Sequence, residues 1–150
     1  MKGRKASTHS LLLMSQDRQL RRQLRTCLLD LGLSTKALVS TKDEQECLLT
    51  LGRMRSPLIV LDDEASPVAG ITLLHRLREQ APQAQVMYVT AHHGVDLERE
   101  VRQLGVLYYT EKPLDSILLN RLLTSAFTAL FDTEKPPPDR LSPPAVEKRD

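Results

Sequence analysis

The chain has 150 residues, a formal net charge of +2 and 3% aromatic residues. That length suits one domain with a true core and is short for two ordinary ones. The charge is too small to argue for nucleic-acid binding, and the aromatics are too few for a base-stacking surface.

Residues 1–8 read as an N-terminal tail. Leu11-Leu12-Leu13-Met14 is a short apolar strand, too short for a signal sequence or a membrane span, so a soluble cytoplasmic protein is expected. Asp17 can cap the helix that follows, where Leu20, Leu24, Cys27, Leu28 and Leu31 recur at helical spacing and Gly32 marks the end. The cationic run Arg18, Arg21, Arg22 and Arg25 lies on that helix, as a solvated face or as a surface for an acidic partner. Ser34 to Ser40 reads as a second strand. Thr41-Lys42-Asp43-Glu44 resembles a capping box for a second helix carrying Cys47, Leu48 and Leu51. The two cysteines lack metal-ligand spacing and read as reduced core residues; the four histidines form no zinc pattern.

Leu58-Ile59-Val60-Leu61 is wholly apolar and ends in Asp62-Asp63-Glu64. Such a run reads as a central strand buried on both faces, with its acids at the carboxyl end, where ligands and chemistry gather in an open α/β sheet. A loop from Asp63 to Ala69 leads to a third helix through Leu73, Leu74 and Leu77. Val86-Met87-Tyr88-Val89 is a fourth strand, and a fourth helix runs from Val95 to Leu104. Val106 to Thr110 is a fifth strand. Asp115 or Ser116 opens a last helix to about Phe131. From Thr133 onward prolines and charges replace apolar periodicity, which reads as a flexible tail or linker. Five strands alternating with helices predict an α/β domain over 9–132: a five-stranded parallel sheet with helices on both faces, in three layers.

At this point the chain resembles the receiver domains of bacterial response regulators, over roughly residues 10–131. Leu58 to Gly70 is similar to the family's acceptor strand and loop, with Asp62 at the phosphoacceptor position. Val89-Thr90-Ala91 matches the end of the fourth strand, and Gly105 to Pro113 matches the fifth-strand signature. The resemblance implies a (βα)5 receiver fold and a role in two-component or phosphorelay signalling. Thr90 and Lys112 would contact the phosphoryl group, and Tyr109 would be the aromatic switch. A sensor histidine kinase or phosphotransfer protein would be the partner. Enzymatic action would extend no further than self-catalysed phosphoryl transfer and dephosphorylation. Neither membrane nor nucleic-acid binding is implied for this chain.

One departure falls on the chemistry. The family ends its first strand with two acids that bind magnesium; here Ser15 and Gln16 stand there. Magnesium favours charged oxygen ligands in octahedral geometry, so a weak or absent site, and slow phosphorylation, are expected. Glu64, two residues past Asp62, can add a carboxylate, and so can Asp17, if it turns inward instead of capping.

Two readings therefore stand: a receiver that accepts phosphoryl on Asp62, and a phosphorylation-independent pseudo-receiver acting as an interaction or dimerisation module. The last helix supports the second. Beyond its core stripe of Leu119, Leu123, Ala126 and Leu130 it carries Ile117, Leu118 and Leu122, apolar residues suited to an interface, such as a homodimer through the fourth helix, fifth strand and fifth helix. A nucleotide-binding enzyme is disfavoured, because no glycine-rich loop follows the first strand.

Overall fold

The computed structural model describes residues 10–134 except Ala65, with side chains as far as residue 128. The expected tail at 1–8, positions 135–150 of the tail expected from Thr133, and the side chain of Leu130 lie outside the described residues.

Five parallel strands form one sheet in the order β2-β1-β3-β4-β5. They are β1 (Leu11–Met14), β2 (Leu38–Thr41), β3 (Leu58–Asp62), β4 (Gln85–Thr90) and β5 (Tyr108–Glu111). Helices α1 (Arg18–Asp30), α2 (Glu44–Leu51), α3 (Pro67–Gln80), α4 (Val95–Gln103) and α5 (Ser116–Glu134) connect and cover them.

The three layers follow from side-chain alternation along each strand. Leu11, Leu13, Leu58, Val60, Met87 and Val89 face α1 and α5, and meet Leu24, Leu28, Leu119 and Leu123 there. Leu12, Ile59, Leu61, Val86 and Tyr88 face the other way, onto Cys47, Leu73, Leu74, Leu77 and Val101 of α2, α3 and α4. All five residues of β3 are buried. This explains its continuous apolar run and places Asp62 at the buried carboxyl end of the strand. Both cysteines are free and buried, and burial pushes the Cys47 thiol up to about 11.

Several element boundaries differ from the sequence expectation. The expected second strand starts as a short 3-10 turn, Thr35–Ala37, because the Ser34 side chain accepts the Lys36 amide; only Leu38–Thr41 pairs with β1. The cap of α2 is Asp43, accepting from Glu46 N, while Glu46 accepts from Lys42 N. Thr41 is buried in β2, and its hydroxyl donates to Leu13 O. The loop after β3 is shorter than expected: Ser66 caps α3 and Pro67 occupies its first turn, where a missing amide hydrogen costs nothing. Strand β5 is shifted toward Glu111, and α5 continues through Thr133 and Glu134, two residues assigned to the tail. Gly32, at φ 81°, turns the chain out of α1 in the left-handed region that glycine adopts without strain.

Candidate functional site

Parallel strands deliver their carboxyl ends to one edge. Met14 pairs with Leu61, Asp62 with Val89, and Thr90 with Glu111. The segments after β1, β3, β4 and β5 therefore converge although they are far apart in the chain.

Asp62 sits at the centre, its side chain fully buried. Its Oδ2 accepts from the Ser15 hydroxyl at 2.5 Å and from Lys112 Nζ at 2.9 Å, while Oδ1 accepts the Glu64 amide at 3.0 Å. Ser15 is positioned by both its neighbours: its amide donates to Thr41 O, and its hydroxyl accepts the Asp17 amide.

Lys112 reaches three carboxylates. Its Nζ lies 2.8 Å from Asp17 Oδ2, 2.9 Å from Asp62 Oδ2 and 3.1 Å from Glu64 Oε1. Burial alone would lower the pKa of this ammonium, but the hydrogen bonds to Asp17, Asp62 and Glu64 outweigh it and raise the pKa above the usual lysine range. For Asp17, burial works upward and is outweighed by the Lys112 hydrogen bond and the backbone amides of Leu20 and Gln19, so its pKa is lowered. The loop beyond Lys112 passes through a cis Lys112–Pro113 bond and is tied to α1 by Gln23 Nε2 donating to Leu114 O.

Asp17 thus performs both roles that the sequence presents as alternatives. Oδ1 caps α1 through the amides of Gln19 and Leu20, and Oδ2 turns inward to Lys112. Carboxylate oxygens of Asp17, Asp62 and Glu64 lie within 4.8 Å of one another. That donor set fits a hard divalent cation. The carboxylates beside Asp62 thus come from Asp17, one residue past the Ser15-Gln16 positions, and from Glu64 of the β3 loop. Gln16 is exposed, and its amide donates to Lys42 O at 3.3 Å; it lines the same cleft as Ser15, Asp62 and Glu64.

Thr90 ends β4, fully buried. Its hydroxyl accepts the His92 amide, and its carbonyl accepts the Lys112 amide. Tyr109 is half-buried, its hydroxyl and His93 Nδ1 hydrogen-bonded at 2.9 Å and the Arg102 guanidinium 5.8 Å from its ring centre. Burial raises the Tyr109 pKa. On α5, Ile117 and Leu118 are exposed, at 66% and 44%. Leu122 belongs elsewhere: it is partly buried against the α1–α5 core, because its position turns it inward between Leu119 and Leu123.

Sequence reasoning passed over Asp63 and Tyr88. Both are buried, and the Tyr88 hydroxyl donates to Asp63 Oδ2 at 2.6 Å. The signal that could have found them was alternation: if Asp62 faces one side of β3, Asp63 must face the other, into what the pattern marks as core.

Residues 11–124 match the family model of the response regulator receiver domain. The chain belongs to this family. The alginate biosynthesis transcriptional regulatory protein AlgB of Pseudomonas aeruginosa is 35% identical over 103 residues, covering 69% of this chain and 22% of that protein. The regulatory protein LuxO of Vibrio cholerae is 24% identical over 82 residues, covering 55% of this chain and 18% of that protein. The chain thus spans about a fifth of the length of these curated relatives. Among solved structures, a CheY-like receiver domain protein from Methanospirillum hungatei superposes with a TM-score of 0.71 at 15% identity, covering 83% of this chain and 98% of that one. The beryllofluoride-activated NtrC4 receiver domain dimer gives 0.69 at 20% identity, covering 81% and 98%. At such identities the likeness concerns the fold. The receiver domain is a signalling module of two-component systems, and no described helix is long and apolar enough to cross a membrane.

Proposed function

We propose that this receiver domain accepts a phosphoryl group on Asp62 from a sensor histidine kinase or a phosphotransfer protein. The observation that supports this most is the three-way contact of Lys112 with Asp17, Asp62 and Glu64 at the carboxyl edge of the sheet. A carboxylate oxygen of Asp62 attacks phosphorus, the new P–O bond forms, and the bond from phosphorus to the donor's leaving group breaks. Lys112 carries the positive charge that stabilises the transferring oxygens, and the Thr90 hydroxyl, which accepts the His92 amide, keeps its own O–H to donate to them.

Asp62, Asp17 and Glu64 would hold a magnesium ion, which when bound supplies positive charge against the phosphoryl oxygens. The affinity is weaker than in a receiver with the usual acidic pair, for two reasons. Lys112 already contacts all three carboxylates and must be displaced from them, and Ser15 and Gln16 add no charge.

A second reading is a pseudo-receiver that works without phosphorylation, through a protein interface or a homodimer across α4, β5 and α5. One observation favours it: both Asp62 oxygens are already engaged, Oδ2 by Ser15 and Lys112 and Oδ1 by the Glu64 amide. Exposed Ile117 and Leu118 would supply apolar contact area.

Intact-mass spectrometry after incubation with acetyl phosphate, with and without magnesium, separates the two. The first reading expects a magnesium-dependent gain of one phosphoryl group that Asp62→Ala abolishes. No gain at saturating magnesium refutes it in favour of the second.

A further inference from the structure

Asp63 follows the proposed acceptor directly and points to the opposite face of the sheet. It is 2% exposed. Its Oδ2 accepts the Tyr88 hydroxyl, and its Oδ1 has no hydrogen-bond partner among the described residues. A carboxyl group costs free energy to bury, and one hydrogen bond compensates only part of it, so core packing alone does not account for an acid here. The surroundings are closed tightly around the pair. A Cβ on Gly70 would lie 2.5 Å from Asp63 Cβ and 2.6 Å from Tyr88 Oη, so α3 approaches with bare backbone.

Tyr88 extends the contact away from the acceptor. Its buried ring lies parallel to that of Tyr109, with centroids 6.1 Å apart and planes 2° from parallel. Tyr109 in turn is hydrogen-bonded to His93 on the β4–α4 connection and lies beneath Arg102 of α4. The Asp63 amide donates to Val89 O, fixing the backbone beside Asp62 to β4 as well. An uninterrupted series of packed groups therefore runs from the peptide of Asp62 to the exposed surface of α4 and β5.

We propose that Asp63 and Tyr88 are positioning residues that couple the charge state of Asp62 to Tyr109 and His93, by a route that does not pass through Thr90. Close packing is the physical basis. A small shift of the β3 end cannot be absorbed where Gly70 leaves no space, so it is passed to the Tyr88 ring and from there to Tyr109. The link is present in the unmodified chain, so its test stands whether or not Asp62 takes a phosphoryl group.

The experiment is NMR of the Tyr109 and His93 ring signals, comparing the protein with Asp62→Asn, which neutralises the acceptor. The same comparison is repeated in Tyr88→Phe, which keeps the stacked ring and removes the hydroxyl, and in Asp63→Val and Asp63→Asn. The Asp62-dependent shift is expected to fall by at least half in Tyr88→Phe and Asp63→Val. It is expected to persist in Asp63→Asn, whose side-chain carbonyl still accepts from Tyr88. Absence of any shift in the parent background, or an equal shift in all backgrounds, overturns the proposal. A lower melting temperature in Asp63→Val without loss of the shift would mark the pair as structural only, which also overturns it. If Tyr88→Phe does not fold, the contrast between Asp63→Val and Asp63→Asn decides in its place.

Discussion

Replacing Lys112 with methionine keeps an unbranched side chain, one atom shorter, and removes the one cation among the described residues that touches Asp17, Asp62 and Glu64. The three carboxylates then face one another with oxygens no more than 4.8 Å apart. At an effective dielectric near 20, each such pair repels by roughly 3.5 kcal/mol or more. Glu64 is 56% exposed, so solvent screens its share and it can swing away. Asp62 is fully buried and Asp17 is held by its capping bonds, so that pair keeps most of its repulsion. Removing one partner of a buried ion pair typically costs about 3–5 kcal/mol. We therefore expect Lys112→Met to lose about 3 kcal/mol of stability at neutral pH.

Part of that loss should be recovered by magnesium, because a divalent cation supplies the missing charge without having to displace an ammonium. A tenfold gain in affinity corresponds to about 1.4 kcal/mol at saturating ion. The dependence on pH has a definite sign. The Lys112 pKa is raised on folding, so its contribution is complete below the unfolded lysine value and is lost as pH rises through the folded one. The Asp17 pKa is lowered, so its contribution is present above the unfolded carboxylate value and disappears as pH falls through the folded one. The gap between parent and variant is therefore flat across neutral pH and narrows at both extremes. Urea denaturation followed by far-ultraviolet circular dichroism measures it, the chain having no tryptophan. A loss under about 1 kcal/mol, where surface ion pairs fall, would refute the reasoning. So would a loss that magnesium leaves untouched.

Other perturbations probe separate parts of the site. Ser15→Ala frees one contact on Asp62 Oδ2 and should speed the reaction with acetyl phosphate several-fold in a magnesium-containing time course, an unchanged rate showing that the hydroxyl does not restrain the nucleophile. Ser15→Asp with Gln16→Asp should raise magnesium affinity in a titration, and unchanged affinity would sink the account of a weakened site. Gly70→Ala places a methyl against Asp63 and Tyr88 and should cost about 1–3 kcal/mol of overpacking in a thermal melt. Ile117→Ser with Leu118→Ser should change stability by less than about 0.5 kcal/mol, as exposed substitutions do, while lowering any self-association seen by analytical ultracentrifugation.

Much of the fold is legible in the chain because periodicity reports burial. The unbroken apolar run of β3 announces a strand covered on both faces, and helical spacing through α1, α3 and α5 marks the sides that meet the sheet. Boundaries were less legible where short polar side chains redirect the backbone: Ser34 turns the start of β2 into a 3-10 turn, and Ser66 starts α3 early. Asp62 was legible as a candidate because it ends the apolar run of β3, whereas Thr90, Tyr109 and Lys112 stood out through the resemblance of their segments to the receiver family.

What the sequence determined by itself was which residue types stand at the carboxyl edge of the sheet, including the loss of the acidic pair at Ser15 and Gln16. Tertiary structure decided which acids meet. Asp17 and Lys112 are 95 positions apart, and only the parallel pairing of β1, β3, β4 and β5 brings their side chains to 2.8 Å. The pairing of Asp63 with Tyr88 depends likewise on β3 and β4 lying side by side, with α3 pressed close at Gly70. Periodicity records which way a side chain faces, but not which partner from a distant strand it will meet there.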